Sequence, residues 1–125
     1  MKILCVKDNG YIKPKNDEAD EVFSRIHNGA VLIVELKQAR NPAFTARYFA
    51  SVDLIVENDN ALRFTERYEL HNYIKEALGV DSIKEDKMDG VEFADFFERY
   101  QALVVTELMP DLPAHVFWNE VGERI

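Results

Sequence analysis

Hydrophobic and polar positions follow two different periods along this chain, and the change between them predicts its elements. Residues 30–38 alternate, with Leu32, Val34 and Leu36 on one face, which predicts the clearest β-strand of the chain. From Pro42 the apolar positions recur every three or four residues, which predicts an amphipathic helix to about residue 57. The chain therefore combines strands with helices.

A β-hairpin is predicted before this strand. Residues 2–7 alternate weakly and end at Asp8-Asn9-Gly10, a strong turn signal, after which residues 11–13 return as a second strand that Pro14 stops. Cys5, the lone cysteine, lies in the first strand. We interpret it as a small buried hydrophobe rather than as a reactive thiol.

Caps and breaks predict the rest of the fold. The remaining elements are a helix from Asn16 or Asp17 to Asn28-Gly29, a helix over 61–78, a short strand at 82–84, a long helix from Asp89 to Met109, and a short helix over 114–123. The prediction is a single α+β domain over residues 1–125, in which a small antiparallel sheet of two to four strands packs against four or five helices.

The net charge of −8 is unevenly distributed. Residues 1–50 hold eight Lys and Arg against six Asp and Glu, whereas residues 51–125 hold seven against seventeen. A carboxylate-rich surface repels nucleic-acid phosphates and suits a basic protein partner, although such acids also serve solubility alone. The single cysteine, the lack of a signal peptide and the lack of a membrane-length apolar run predict a cytoplasmic location with no membrane partner.

Few residues are arranged for catalysis. The histidines His27, His71 and His115 lack metal-ligand spacing, and no nucleophile elbow or glycine-rich phosphate loop is present. His71 lies on an apolar helix face, as a hydrogen-bonded core histidine does. Asp95 and Glu98 are candidates for an acid–base couple, but Asp95 also stands four residues before Arg99, the spacing of a surface ion pair. We expect no metal and no cofactor, and enzymatic activity is the least favoured class.

Three cations surround the predicted start of the second helix and form the main candidate binding site. Asn41 is a suitable N-cap and Pro42 fits the first turn, so the free amide groups there attract anions. The predicted binding residues are Lys37, Arg40, Asn41, Arg47 and Tyr48. In one interpretation these residues bind a nucleic-acid backbone or an acidic peptide. In the other, the arginines form ion pairs with nearby carboxylates of the chain itself.

The same stretch carries a resemblance. Gly29 to Phe44, with its Lys-x-x-Arg-Asn-Pro-x-Phe motif, resembles a domain-of-unknown-function family encoded by tailed phages and prophages, and residues 82–93 are similar to a second element of that family. Family members often have a histidine where Thr45 stands and a second basic residue at Ala46. Because this chain has Thr45 and Ala46 at those positions, it lacks any chemistry that the histidine carries out, and binding is the safer inference for its function. The stretch also has a likeness to recombination accessory proteins of the NinB type.

The resemblance implies a role in a bacterial host cell, and we consider two functions. The first is a non-enzymatic phage or prophage accessory protein that binds a protein or a nucleic-acid end, including single-stranded nucleic acid, in DNA replication or recombination. The alternative is an anti-defence, anti-CRISPR-like protein whose acidic surface blocks the nucleic-acid groove of a host effector. The predicted acidic surface comprises Asp81, Glu85, Asp86, Asp89, Glu92, Asp95 and Glu98.

Overall fold

The structure, a computed structural model, describes residues 1–125 and contains two compact units, Met1–Glu35 and Leu36–Ile125. The first unit holds a two-stranded antiparallel sheet and one helix, and the second holds four helices. The α+β class is therefore confirmed. No helix of the structure combines the length and the apolarity that a membrane span needs.

The hairpin of the first unit forms as predicted. Strand β1 (Cys5–Asp8) pairs with β2 (Tyr11–Pro14) in an antiparallel register that brings Asp8 opposite Tyr11. The two turn residues, Asn9 and Gly10, have φ values of 50° and 82°, which is the backbone that a tight hairpin turn requires. Cys5 is exposed, so its predicted burial is wrong, because both faces of this short hairpin are open.

Helix α1 (Asp17–Ser24) completes the first unit. The Asn16 side chain accepts a hydrogen bond from the Ala19 amide at 2.9 Å and so caps the helix, as predicted. The helix ends earlier than the predicted Asn28-Gly29, because the Arg25 amide already bonds to the Val22 carbonyl in a tighter turn.

The strand predicted over residues 30–38 is absent, so that prediction is wrong. The residues form no ladder, and Val31 and Ile33 are 93% and 103% exposed. A strand propensity reflects packing in a sheet. The only sheet consists of β1 and β2, so no strand lies beside residues 30–38 to form a ladder with them. The predicted strand at 82–84 is also absent, since the Ser82 hydroxyl accepts from the Lys84 amide in a turn.

The second unit is built from helices α2 (Pro42–Glu57), α3 (Arg67–Leu78), α4 (Gly90–Leu103) and α5 (Ala114–Glu123), and a π-helical turn, Val104–Leu108, extends α4. Helices α2 and α5 match the predicted ranges, and α4 begins at its predicted cap, Asp89, whose carboxylate accepts from the Glu92 amide at 2.9 Å. The π turn carries the chain towards the predicted end at Met109, whose amide bonds to the Val104 carbonyl.

Helix α3 is shorter than predicted, beginning at Arg67 instead of Ala61. The Asp59 carboxylate accepts hydrogen bonds from the Phe64 amide at 2.9 Å and from Arg63 Nε at 3.2 Å. A buried carboxylate that binds nearby amides offers the backbone an alternative to the helix. The segment between α2 and α3 is therefore a turn that hydrogen bonds to the Asp59 carboxylate stabilise.

The core of the second unit lies along the aromatic face of α4. Helix α2 packs against α3 and α5, and α3 packs against α4. The buried residues include an aromatic stripe of α4, with Phe93, Phe96, Phe97 and Tyr100 all less than a tenth exposed. This packing sets α2 and α3 side by side, which creates the cleft described next.

Candidate binding cleft between helices α2 and α3

Arg40, the central residue of the predicted cationic site, is bound internally. One guanidinium nitrogen, Nη1, donates to the carbonyls of Ile83 and Met88, and Nη2 donates to Thr45 Oγ1 at 2.7 Å. Its Cζ atom lies 3.9 Å from the centre of the Phe93 ring, a close cation–π contact. Burial lowers the pKa of Arg40, and the nearby Glu85 opposes this. Arg40 therefore joins three segments of the fold.

The other predicted contact residues do not form one patch with Arg40. Tyr48 is completely buried in the core, so the prediction that it contacts a partner is wrong. Arg47 lies with its Cζ atom 5.6 Å from the centre of the Trp118 ring, and Lys37 is exposed in the segment before the helix. Asn41 caps α2 as predicted, because its side chain accepts from the Ala43 amide at 3.0 Å.

A cleft of about 610 Å³ opens beside Arg40. Helices α2 and α3 each contribute four residues at spacings of three and four, and the connector before α4 closes the third side. The lining residues are Arg40, Pro42, Thr45, Ala46, Phe49, Tyr68, His71, Asn72, Lys75, Ser82, Ile83, Lys84 and Glu85. Its volume lies within the range typical of small-ligand sites.

The lining combines apolar surface with positive charge. Phe49 and Ile83 supply apolar walls, and Tyr68 presents a ring that is 57% exposed. Three cationic side chains, Arg40, Lys75 and Lys84, face one carboxylate, Glu85. This local excess of positive charge contrasts with the net charge of −8 of the whole chain. A ligand with a planar ring and an anionic group matches this lining.

His71 lies in the wall of the cleft, and its ring is hydrogen-bonded to a residue of the core. Tyr48 Oη lies 2.6 Å from His71 Nδ1, and only 8% of the histidine is exposed. Burial, with a smaller effect of Lys75, lowers the pKa of His71 to about 4, so the imidazole is neutral at physiological pH. The prediction of a hydrogen-bonded core histidine is confirmed, and the structure adds that this histidine lines a cleft.

A second buried polar chain supports the same region. Ser51 Oγ donates to the Tyr48 carbonyl at 2.5 Å and lies 2.7 Å from the Tyr100 hydroxyl, which therefore donates to it. Burial raises the pKa values of both Tyr48 and Tyr100, so both remain protonated donors. The polar groups behind His71 are thus satisfied within the core.

Most residues of this cleft were not predicted from the sequence. Tyr68, Asn72, Lys75 and Lys84 were not among the predicted site residues, although Tyr68, His71, Asn72 and Lys75 follow the spacing of one helix face. That spacing was the available signal. It was weak, because Arg40 reaches the cleft from a segment far from α3 in the sequence and Lys84 reaches it from the irregular connector after α3.

The predicted acidic residues lie in two settings. Glu85 lines the cleft and Asp89 caps α4, whereas Asp81, Asp86, Glu92, Asp95 and Glu98 are exposed. The predicted ion pair between Asp95 and Arg99 does not form, because Arg99 donates to the Leu78 carbonyl at 2.7 Å instead. The exposed acids on α4 therefore remain available to a partner.

A larger cavity, of about 850 Å³, lies between the end of α2, the π turn and α5. Its charged groups are already engaged in part, since Arg63 pairs with Asp59 at 3.2 Å and Arg124 pairs with Glu57 at 2.6 Å. No group of three His, Cys, Asp or Glu side chains is placed to hold a metal ion. The cleft at α2 and α3 is the better candidate site.

Comparison with known families confirms that the first half of the chain is similar to a family of proteins of unknown function. Residues 2–61 match the model of a family described as a protein of unknown function, DUF1367. The match covers the hairpin, α1, the segment through Arg40 and helix α2, so it includes one side of the cleft. No curated protein and no solved structure matches the chain.

Proposed function

We propose that this protein is a non-enzymatic accessory protein of a phage or prophage that binds nucleic-acid ends in replication or recombination, through the cleft between α2 and α3. The observation that carries the proposal is the cluster of three cations around an apolar cleft in an otherwise acidic chain. The proposal replaces the predicted patch of Lys37, Arg40 and Arg47, because Tyr48 is buried and Arg40 is bound internally.

Different lining residues of the cleft would contact the phosphate and the base of a nucleotide. Lys84 is exposed and Lys75 is partly exposed at the rim of the cleft, where both can neutralise phosphate. The exposed Tyr68 offers a ring face on which a base can stack, a contact that every base can make, whereas the Phe49 ring is partly buried and has the Arg67 guanidinium 5.0 Å from its centre. Arg40 supplies fixed positive charge, while its Nη donors stay on the protein. Such a site favours single-stranded ends, whose bases are free to leave the stack.

Fluorescence anisotropy with a labelled single-stranded oligonucleotide tests the proposal. We expect binding at low salt, and the logarithm of the association constant should fall linearly with the logarithm of the salt concentration. The magnitude of this slope should be smaller by about one in Lys75→Ala and in Lys84→Ala. Lys87→Ala is the matched control, because Lys87 is exposed in the same connector but does not line the cleft. Absence of binding at low salt contradicts the proposal.

A second candidate function is an anti-defence protein that occupies a basic groove of a host effector. The exposed face of α4 favours it, since Glu92, Asp95 and Glu98 point outward and none of them forms an ion pair. The charge reversal Asp95→Lys with Glu98→Lys should then abolish a nuclease-resistant complex with a basic host protein. Reversal of Glu18 and Asp20, two exposed acids of α1, is the control. A complex that survives both reversals contradicts this candidate.

A further inference from the structure

The tautomer of His71 follows from its partner. The Tyr48 hydroxyl is completely buried, and His71 Nδ1 at 2.6 Å is its hydrogen-bond partner. If the hydroxyl accepted from Nδ1, its own hydrogen would lack a partner in an apolar core, which is costly. Tyr48 therefore donates to Nδ1, and the proton of the neutral imidazole resides on Nε2.

The Nε2–H group of His71 has no partner in the protein. The histidine is more than nine-tenths buried and is one of the lining residues of the cleft. Its Nδ1 is occupied by Tyr48, so the free donor of the ring is the one left for a ligand in the cleft. A donor whose ring is fixed in this way in the wall of a cleft is positioned to bind an acceptor oxygen of a ligand.

Two lysines flank this donor. Lys75 follows His71 by one helical turn, and its Nζ lies 3.4 Å from the Asp81 carbonyl, while Lys84 approaches from the connector. Neither lysine forms an ion pair with a carboxylate. The cleft thus offers one neutral donor and two ammonium groups to one anionic group.

On the basis of the proposed function, we propose that the cleft recognises the terminal phosphate monoester of a nucleic-acid strand, with His71 Nε2–H and the ammonium groups of Lys75 and Lys84 as its donors. A terminal monoester carries close to two negative charges and three acceptor oxygens at neutral pH. An internal phosphodiester carries one charge and two free oxygens. The monoester therefore satisfies both lysines and the histidine, whereas the diester does not.

Three oligonucleotides of one sequence test this inference, bearing a 5′-phosphate, a 3′-phosphate or hydroxyl groups at both ends. Competition anisotropy should show about tenfold or tighter binding for one phosphorylated end, the effect of one charge-assisted hydrogen bond. The two phosphorylated strands decide which end is bound. A mononucleotide and inorganic phosphate, used as competitors, show whether the base contributes.

Two substitutions of His71 separate its role from a merely structural one. His71→Phe should remove the preference for the phosphorylated end, whereas His71→Gln, whose side-chain amide can donate from a similar position, should retain part of it. Lys87→Ala should keep the full preference. Because the unmodified protein reports the preference directly, the test does not depend on the stability of any variant.

The outcomes separate this inference from the proposed function. Equal affinity for all three oligonucleotides overturns the inference while nucleic-acid binding stands. No affinity for any of them overturns both. A preference for a phosphorylated end that His71→Phe leaves unchanged overturns the role assigned to His71.

Discussion

The two units of this protein differ most in how they bury apolar side chains. In Met1–Glu35 the only buried residue is Ala19, whereas all sixteen residues of the main hydrophobic core lie in Leu36–Ile125. The first unit is nevertheless rich in apolar residues, among them Val31 and Ile33, which are exposed. Hydrophobic composition therefore does not report where the core is.

The physical reason is the number of layers that each unit can offer. A hairpin of two strands has no second layer to cover its faces and is marginally stable by itself. Four helices can enclose the aromatic face of α4 from several sides. Stability and the candidate cleft are both concentrated in the helical unit.

Truncation of core side chains should show this contrast most strongly. Phe96→Ala, at a position that is 1% exposed, should lower the free energy of unfolding by about 3–5 kcal/mol. Ile12→Ala, in the exposed strand β2, should change it by about 0.5 kcal/mol or less. Denaturant unfolding followed by the fluorescence of the single tryptophan, Trp118, measures both. Similar effects at the two positions would contradict the contrast.

The pH dependence of stability should follow His71 of the helical unit. Its pKa is lowered from 6.5 to about 4 on folding, so the unfolded chain binds more protons between these values. The contribution of His71 is therefore fully present above pH 6.5 and is lost as the pH falls to 4, by about 3 kcal/mol in total. Denaturant unfolding at several pH values measures this loss.

The variant His71→Gln isolates that contribution from the carboxylates. Interactions with Arg67 and Arg124, and with the Phe64 amide, lower the pKa values of Asp53, Glu57 and Asp59 respectively, so these groups act at lower pH in both proteins. Below pH 4 the two profiles should run parallel, because His71 is then protonated in both the folded and the unfolded chain. Parallel profiles from pH 7 to pH 4 would show that His71 does not titrate as described.

Arginine substitutions compare an internal cation with a surface one. Arg40→Lys should destabilise the protein by about 1–3 kcal/mol, because an ammonium group cannot reproduce the guanidinium bonds to two carbonyls and a hydroxyl. Arg25→Lys in α1 replaces an exposed partner of Glu21 and should cost about 0.5 kcal/mol or less. Thermal or denaturant unfolding distinguishes them, and equal costs would contradict the internal role of Arg40.

Two glycines test the packing within the helical unit. A Cβ atom at Gly90 would lie 2.6 Å from the Ala39 carbonyl oxygen, so Gly90→Ala should destabilise by about 1–3 kcal/mol. Gly122, within α5, has open space around it, and Gly122→Ala should stabilise by about 0.5–1 kcal/mol. Opposite shifts in the midpoint of unfolding are expected. A shift of the same sign in both would contradict the close approach at Gly90.

Elements set by neighbouring residues could be predicted from the sequence. The Asn-Gly turn, the Asn41 cap with Pro42, and the Asp89 cap each act within a few residues, and the hairpin and the starts of α2 and α4 were predicted correctly. Residues 30–38 show the limit. Their alternation describes how a strand would pack, but whether a neighbouring strand exists is a property of the whole fold.

The candidate site was only partly predictable for a related reason. Arg40 and His71 were both named from the sequence. The sequence could not show, however, that the Arg40 guanidinium donates to carbonyl groups distant in the sequence, or that His71 lines a cleft. Lys84 reaches the same cleft from the connector before α4. These facts depend on contacts between residues more than ten positions apart.

By itself, the sequence determined the helix starts, the tight turn and the aromatic face of α4, since caps, turns and periodicity are local properties. The tertiary structure decided which cations line one cleft, that Tyr48 is buried, and which nitrogen of His71 contacts Tyr48. Those outcomes arise when α2 and α3 pack side by side, because only that packing brings separate segments within hydrogen-bonding distance.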